Sequence, residues 1–170
     1  MEFWFSEFHT PDVKHSIRVK RHLFSLESEY QQIDIFDTPE FGRMLVLDGN
    51  VMLTERDEFI YDEMITHVPM AVHQGIRDIL VIGAGDGGVV KELTRYDRVR
   101  RIDLVEMDPQ VLQACREFLP ANACRLDDER VHIYFENGLK FLRSCENEYD
   151  LVIVDSTDPF GPSEGLFTRE

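Results

Sequence analysis

Three carboxylates stand where they could act on one ligand. Asp155 and Asp158 close the run Tyr149-Asp150-Leu151-Val152-Ile153-Val154-Asp155-Ser156-Thr157-Asp158-Pro159, and Asp86 lies within Gly83-Ala84-Gly85-Asp86-Gly87-Gly88. Both segments follow short apolar runs of the kind that form buried parallel strands, and open α/β sheets bind ligands beyond the carboxyl ends of such strands. Three acids gathered there, without a Lys or Arg partner close by in sequence, repel one another unless a cation lies among them. No His or Cys has ligand spacing to join them, and Mg²⁺ would need a phosphate-bearing substrate. An organic cation, either a polyamine or a sulfonium, fits better.

The elements that must position these acids are legible in the same way. Ile79-Leu80-Val81-Ile82 reads as a buried strand, the glycines open a tight turn, and Val89 to Tyr96 begins a helix. Gly83, Gly85 and Gly88 match the G-x-G-x-x-G spacing of nucleotide-binding turns, a weak signal by itself. It gains weight from Arg101–Glu106, a second strand ending in an acid about twenty residues further on, where a ribose-binding carboxylate is expected. Glu106 could instead substitute for a helix N-cap. Asn137 and Gly138 follow a third strand at the same edge, where they could meet an adenine edge or form a plain turn. Strands 77–82, 101–106, 130–134 and 149–154 alternate with helices 88–96, 109–118 and 137–144, which predicts a parallel, Rossmann-like α/β sheet.

The first part of the chain is different. Ser16–Leu26, Tyr30–Phe36, Arg43–Leu47 and Val51–Thr54 are short β-forming runs separated by Thr38-Pro39 and Asp48-Gly49-Asn50, and they predict a small antiparallel region over residues 1–56. A helix follows over 57–73, with Phe59, Ile60, Met64, Ile65, Val68 and Val72 on one stripe, Asp57 at its N-cap and Pro69 inside it. The catalytic unit is expected over 57–170.

A net charge of −15 over 170 residues argues against nucleic acid and is compatible with a cationic substrate. No apolar run approaches a membrane span. Three cysteines without a C-x-x-C pair point to the cytoplasm. S-adenosylmethionine carries a carboxylate beside its amine, so an acid in the loop beneath that arm, Asp86, suits a cofactor that keeps the amine and has lost the acid group.

With Glu58-Phe59-Ile60-Tyr61-Asp62-Glu63-Met64 and Phe41-Gly42-Arg43-Met44-Leu45-Val46-Leu47-Asp48-Gly49, the glycine loop and the Asp155–Pro162 segment resemble spermidine synthase, a polyamine aminopropyltransferase, from about Trp4 onward. The resemblance implies transfer of an aminopropyl group from decarboxylated S-adenosylmethionine, as co-substrate with no prosthetic group, to an amine, by default putrescine. It implies Asp155 as proton acceptor, and Asp86 and Asp158 as holders of amino groups. It places Glu106 on the ribose and Asn137 with Gly138 at the adenine. Gln31 would touch the nucleoside, Tyr61 and Asp62 would line the amine channel, Pro162 would cover the adenine, and Trp4 would flank the acceptor. It also implies a homodimer or homotetramer.

Two positions depart from the family pattern. Asn137 stands where Asp is more frequent, though its amide could still accept from the adenine amino group. Asp62 stands where His or Gln is frequent. The family's sheet continues beyond the fourth strand, so the expectation is a fragment with nucleoside contacts largely present and catalysis impaired. A methyltransferase shares the sheet and the ribose acid but fits Asp86 and the Asp155/Asp158 pair poorly, and a non-catalytic nucleoside-binding module is the other alternative.

Overall fold

The computed structural model describes residues 2–146, 148–156 and 166. The N-terminal part forms two antiparallel sheets. β1 (Phe3–Thr10) pairs with β2 (Val13–Val19). β3 (Arg21–Glu27), β4 (Gln32–Thr38), β5 (Gly42–Leu47) and β6 (Asn50–Thr54) make a meander in chain order. Asp48 and Gly49 both take positive φ, 49° and 80°, as a two-residue hairpin turn matched to the strand twist requires.

Two features differ from the sequence reading. The run Ser16–Leu26 is two strands in two sheets, because the chain turns at Lys20, whose N–H bonds the Asp37 carbonyl at 2.8 Å. β1 is an additional strand, joined to β2 through Thr10-Pro11-Asp12, and its Phe3, Trp4 and Phe8 are exposed.

The second part is a parallel sheet in the order β10-β7-β8-β9, formed by β7 (Asp78–Gly83), β8 (Arg101–Glu106), β9 (Val131–Phe135) and β10 (Leu151–Asp155). Helices α1 (Glu58–Val72), α2 (Gly88–Leu93), α3 (Pro109–Phe118), the short α4 (Pro120–Ala123) and α5 (Gly138–Ser144) connect and cover it. One face packs Ile79, Val81, Ile102, Leu104 and Ile153 with Val89, Val90 and Met70 from the helices. The opposite face packs Leu80, Ile82 and Val105 against Phe141 of α5. Full burial of each such side chain stabilises by about 1.5–3 kcal/mol. β4 and β5 pack Ile33, Ile35 and Leu45 onto Val111, Ala114 and Cys115 of α3, so the antiparallel meander is seated on the α/β sheet's helical layer.

Helix α1 has the expected extent, but the stripe read from its sequence is not its packed face. Ile60, Met64, Val68 and Val72 are exposed, whereas Asp62, Thr66 and Met70 are buried. Glu58, Asp62, Thr66 and Met70 recur every four residues and so share one face, which lies against α2: Lys91 Nζ of α2 is 3.2 Å from Glu58 Oε1, and Asp62 abuts Gly88. Asp57 sits at the N-cap position without capping; its carboxylate accepts from the Thr54 hydroxyl instead.

Candidate functional site

Strand register brings the chemistry-bearing residues to one edge. Asp155 ends β10 directly opposite Gly83, the last residue of β7, and Glu106 ends β8 opposite Phe135 of β9. Gly83 (φ 85°), Ala84 (φ 59°) and Gly87 (φ 90°) turn the chain from β7 into α2, and the Ala84 N–H donates to the Asp155 carbonyl at 3.0 Å. A Cβ on Gly83 would lie 1.8 Å from that carbonyl oxygen. Backbone cannot yield as a side chain does, so Gly83→Ala should destabilise by about 3 kcal/mol in denaturant unfolding. A change below about 1 kcal/mol would show that the β7–β10 junction is looser than this geometry.

Around the junction lies a set of carboxylates. Asp155 is half-buried and its Oδ1 accepts from the Tyr61 hydroxyl at 2.8 Å. Burial and the nearby charge of Asp86 push its carboxyl up to about 6, against the lowering effect of the Tyr61 hydrogen bond. Asp86 accepts from the Gly88 N–H at 2.8 Å and is itself raised, chiefly by burial. Asp62 is 4% exposed, and burial, Asp86 and Glu58 raise it to about 8. The same field, after burial, raises the Tyr61 phenol. Lys91 is the cation that offsets part of this charge, and it is engaged with Glu58. The local arrangement is therefore built for positive charge that the described residues do not fully supply.

Glu106 packs against the glycine loop at the same edge. Gly85 allows Glu106 to pack onto the glycine turn: a Cβ there would be 2.7 Å from Glu106 Oε2. Glu106 is 9% exposed, raised to about 7 mainly by burial, and its Oε1 accepts from the Asp108 N–H at 2.8 Å. The helix cap role falls to Asp108, whose Oδ1 accepts from the Gln110 N–H at 2.9 Å. Asp108 also gathers the Ser28 hydroxyl (2.6 Å) and Gln31 Nε2 (3.2 Å), which ties the antiparallel region to the edge. A cleft of about 260 Å³ opens here between Tyr30, Met107, Asp108 and Phe135.

Asn137 caps α5, its Oδ1 accepting from the N–H groups of Leu139 (3.1 Å) and Lys140 (3.2 Å). Both lone pairs of that oxygen are thereby engaged, so the amide is left with Nδ2, which donates; the expectation that Asn137 accepts from an adenine amino group does not fit this geometry. Gly138 has a packing reason, since a Cβ would meet Ile82 Cγ2 at 2.5 Å.

Of the residues singled out from sequence, the structure brings Tyr61, Asp62, Gly83, Gly85, Asp86, Glu106, Asn137, Gly138 and Asp155 to one sheet edge, with Gln31 reaching it through Asp108. Asp158 and Pro162 lie outside the described residues. Trp4 is exposed on β1. Glu58, Lys91 and Asp108 were missed. The Asp-Pro at 108–109 is a helix-start signal that could have marked the last of these. His67 is tied between the Tyr96 hydroxyl (Nδ1, 2.7 Å) and Glu92 (Nε2, 3.1 Å). With Glu63 these groups lie within 4.8 Å of one another, but Glu92 also binds Arg95 at 2.5 Å, which makes the set an ion-pair network.

A model of the spermine/spermidine synthase domain matches residues 58–170, and one of the spermidine synthase tetramerisation domain matches residues 3–55. The polyamine aminopropyltransferases of Lachnoclostridium phytofermentans and Alkaliphilus oremlandii are 61% and 60% identical over all 170 residues. The chain spans 60% of the length of each. A crystal structure of spermidine synthase in complex with the transition state analogue AdoDATO superposes with a TM-score of 0.94 at 41% identity, covering 98% of this chain and 57% of that one. Spermidine synthase from Thermotoga maritima gives 0.88 at 40% identity, covering 91% and 54%.

Proposed function

The chain belongs to the spermine/spermidine synthase family, and from that premise we propose that its sheet-edge site serves aminopropyl transfer from decarboxylated S-adenosylmethionine to an amine, with putrescine as the default acceptor. The observation that carries the reading is the carboxylate set Asp62, Asp86 and Asp155 gathered at the β7–β10 junction, each raised chiefly by burial, with Glu106 packed onto the same glycine loop. A sulfonium donor with a primary amine and a diamine acceptor would supply the missing positive charge.

In the reaction, the acceptor nitrogen uses its lone pair to form a bond to the methylene carbon next to sulfur. The carbon–sulfur bond breaks, its electrons neutralise the sulfonium, and the nitrogen gives up a proton. An aliphatic ammonium has a solution pKa near about 10, and carboxylates around it raise that value further. The roles must therefore be divided: Asp86, Asp158 and Asp62 hold ammonium groups, while Asp155 receives the proton. Tyr61 orients Asp155 through its hydroxyl. Glu106 takes the ribose, and Gln31, Asn137, Gly138 and Pro162 surround the nucleoside, with Asn137 donating from Nδ2. Alignment of nitrogen, carbon and sulfur supplies much of the remaining rate. Residues 1–56 form the subunit-contact region of a homodimer or homotetramer, for which the exposed Phe3, Trp4 and Phe8 offer apolar surface. The reaction is placed in the cytoplasm, a reading supported by three free cysteines; no helix among the described residues is long and apolar enough to cross a membrane.

A thermal-shift comparison tests the donor. Decarboxylated S-adenosylmethionine should raise the melting temperature at concentrations where S-adenosylmethionine does little, because the extra carboxylate would lie against Asp86. An affinity gap of at least about tenfold, 1.4 kcal/mol, is expected. Equal or greater stabilisation by S-adenosylmethionine would favour a methyltransferase.

A further inference from the structure

The face that α1 presents to α2 has an unusual composition for a helix–helix contact. Glu58, Asp62 and Thr66 follow one another at intervals of four residues, and each leaves one buried side-chain oxygen without a hydrogen-bond partner among the described residues: Glu58 Oε2, Asp62 Oδ2 and Thr66 Oγ1. Asp62 is the most consequential of the three. It is 4% exposed, whereas its neighbour Tyr61 is 53% exposed. Room for it is made by Gly88, where a Cβ would come within 2.1 Å of Asp62 Oδ2. A buried, unpaired carboxylate is costly in its ionised form.

The charges facing Asp62 come from every element around it. Glu58 and Tyr61 lie on its own helix, Asp86 in the glycine loop, Lys91 on α2 and Asp155 at the end of β10. Glu58, Asp86 and Asp155 oppose its ionisation. Lys91 favours it, but its Nζ is held 3.2 Å from Glu58 Oε1 and 4.0 Å from Glu92 Oε1.

We propose that Asp62 compensates charge in this site: it is a neutral carboxylic acid while the crevice is unoccupied and gives up its proton when an ammonium group of the amine enters, so that amine binding releases a proton through Asp62. The inference rests on the amine-binding reading above. It goes beyond it in assigning Asp62 a change of protonation state rather than a fixed negative charge. A raised carboxyl at this position, about 8, is in keeping with it. A His or Gln at residue 62 could bind an amine but could not release a proton from a neutral acid in this way.

Two properties of Asp62→Asn test the proposal. Titration calorimetry with putrescine at pH 7, run in buffers of different ionisation enthalpy, counts the protons released. The variant should release about one proton fewer than the unsubstituted protein, and the difference should vanish by pH 9.5, where Asp62 is already ionised. The ratio of putrescine dissociation constants, variant over unsubstituted, should climb roughly tenfold between pH 7 and pH 9, because only the ionised acid attracts the amine. A purely structural role would give a ratio that does not change with pH. Infrared spectroscopy at pH 7 supplies an arm independent of the ligand: because Glu106 and Asp86 are also raised, the test is the difference spectrum, in which the unsubstituted protein should show additional protonated-carboxyl carbonyl absorption that the variant lacks. Normal putrescine binding with equal proton release in both proteins overturns the inference and leaves the functional reading standing. Failure of the unsubstituted protein to bind putrescine overturns the functional reading, and the coupled release with it. Absence of that difference between the unsubstituted protein and the variant overturns the neutral state of Asp62.

Discussion

Replacing Asp155 with Asn should lower aminopropyl transfer roughly 100- to 10,000-fold relative to the unsubstituted protein, with putrescine binding changed far less. The expectation follows from position and environment together. The β7–β10 register fixes Asp155 opposite Gly83, and the Tyr61 hydroxyl bonds Oδ1, so the carboxylate keeps capacity to accept the proton that the acceptor nitrogen gives up. Burial, then the charge of Asp86, raise its carboxyl to about 6, which makes it a stronger base than a solvated aspartate while leaving it ionised at neutral pH. The rate should accordingly rise with pH through about 6, and that acid limb should be missing from the residual activity of Asp155→Asn. Tyr61→Phe removes the hydrogen bond that lowers the Asp155 pKa and should move the limb upward. Near-normal turnover by Asp155→Asn, with binding intact, would remove Asp155 from the proton-accepting role.

The parallel half of the molecule was the more legible in sequence, because buried strands such as Ile79–Ile82 and Leu151–Val154 are continuous apolar runs whose ends are marked by Gly and Asp. The residues that end those strands, Gly83, Glu106 and Asp155, share an edge by topology alone, which is why the sequence is enough to group the acids. Helix α1 shows where pattern reasoning fails. Hydrophobicity sends Ile60, Met64 and Val68 inward and Glu58 and Asp62 outward, and the structure does the reverse. Acids are turned inward where long-range partners or a site accommodate them, as ion pairs do for Asp103 and Glu92, and a local sequence window contains no record of those partners. Asn137 is a second case. From sequence it reads equally as a ligand contact or as part of a plain turn, and only the donors at Leu139 and Lys140 show that it is a cap whose oxygen is already engaged. The split of Ser16–Leu26 between two sheets depends on the long-range partner of Lys20, which alternation cannot reveal.

The inward-facing acids carry a cost that should be measurable in the unliganded protein. Stability should fall as pH rises from 5 to 8.5, by an amount on the order of 5 kcal/mol. Asp62, Glu106 and Asp155 are raised to about 8, 7 and 6 from ordinary values of 3.8, 4.5 and 3.8. Over that interval the unfolded chain has released these protons while the folded chain still holds them. The folded state therefore binds more protons, and each unit of pH costs it about 1.4 kcal/mol per group until the folded group ionises in turn. Neutralising one acid relieves its neighbours, so the three contributions do not simply add. Asp128 is lowered to about 2 and Asp150 is also lowered, by their hydrogen bonds. Their stabilisation is complete above the ordinary aspartate value and is lost only in stronger acid, which leaves the slope between pH 5 and 8.5 to the raised acids. Asp62→Asn should flatten that slope and make the protein more stable than the unsubstituted form at pH 8.5, the opposite of what most buried substitutions do. Saturating putrescine should recover most of the loss, since a cation among the ionised acids removes the repulsion that opposed them. Denaturant midpoints that stay level or rise from pH 5 to 8.5 would mean that the acids are already ionised and compensated without a ligand, and the case for a site preformed around absent positive charge would fail.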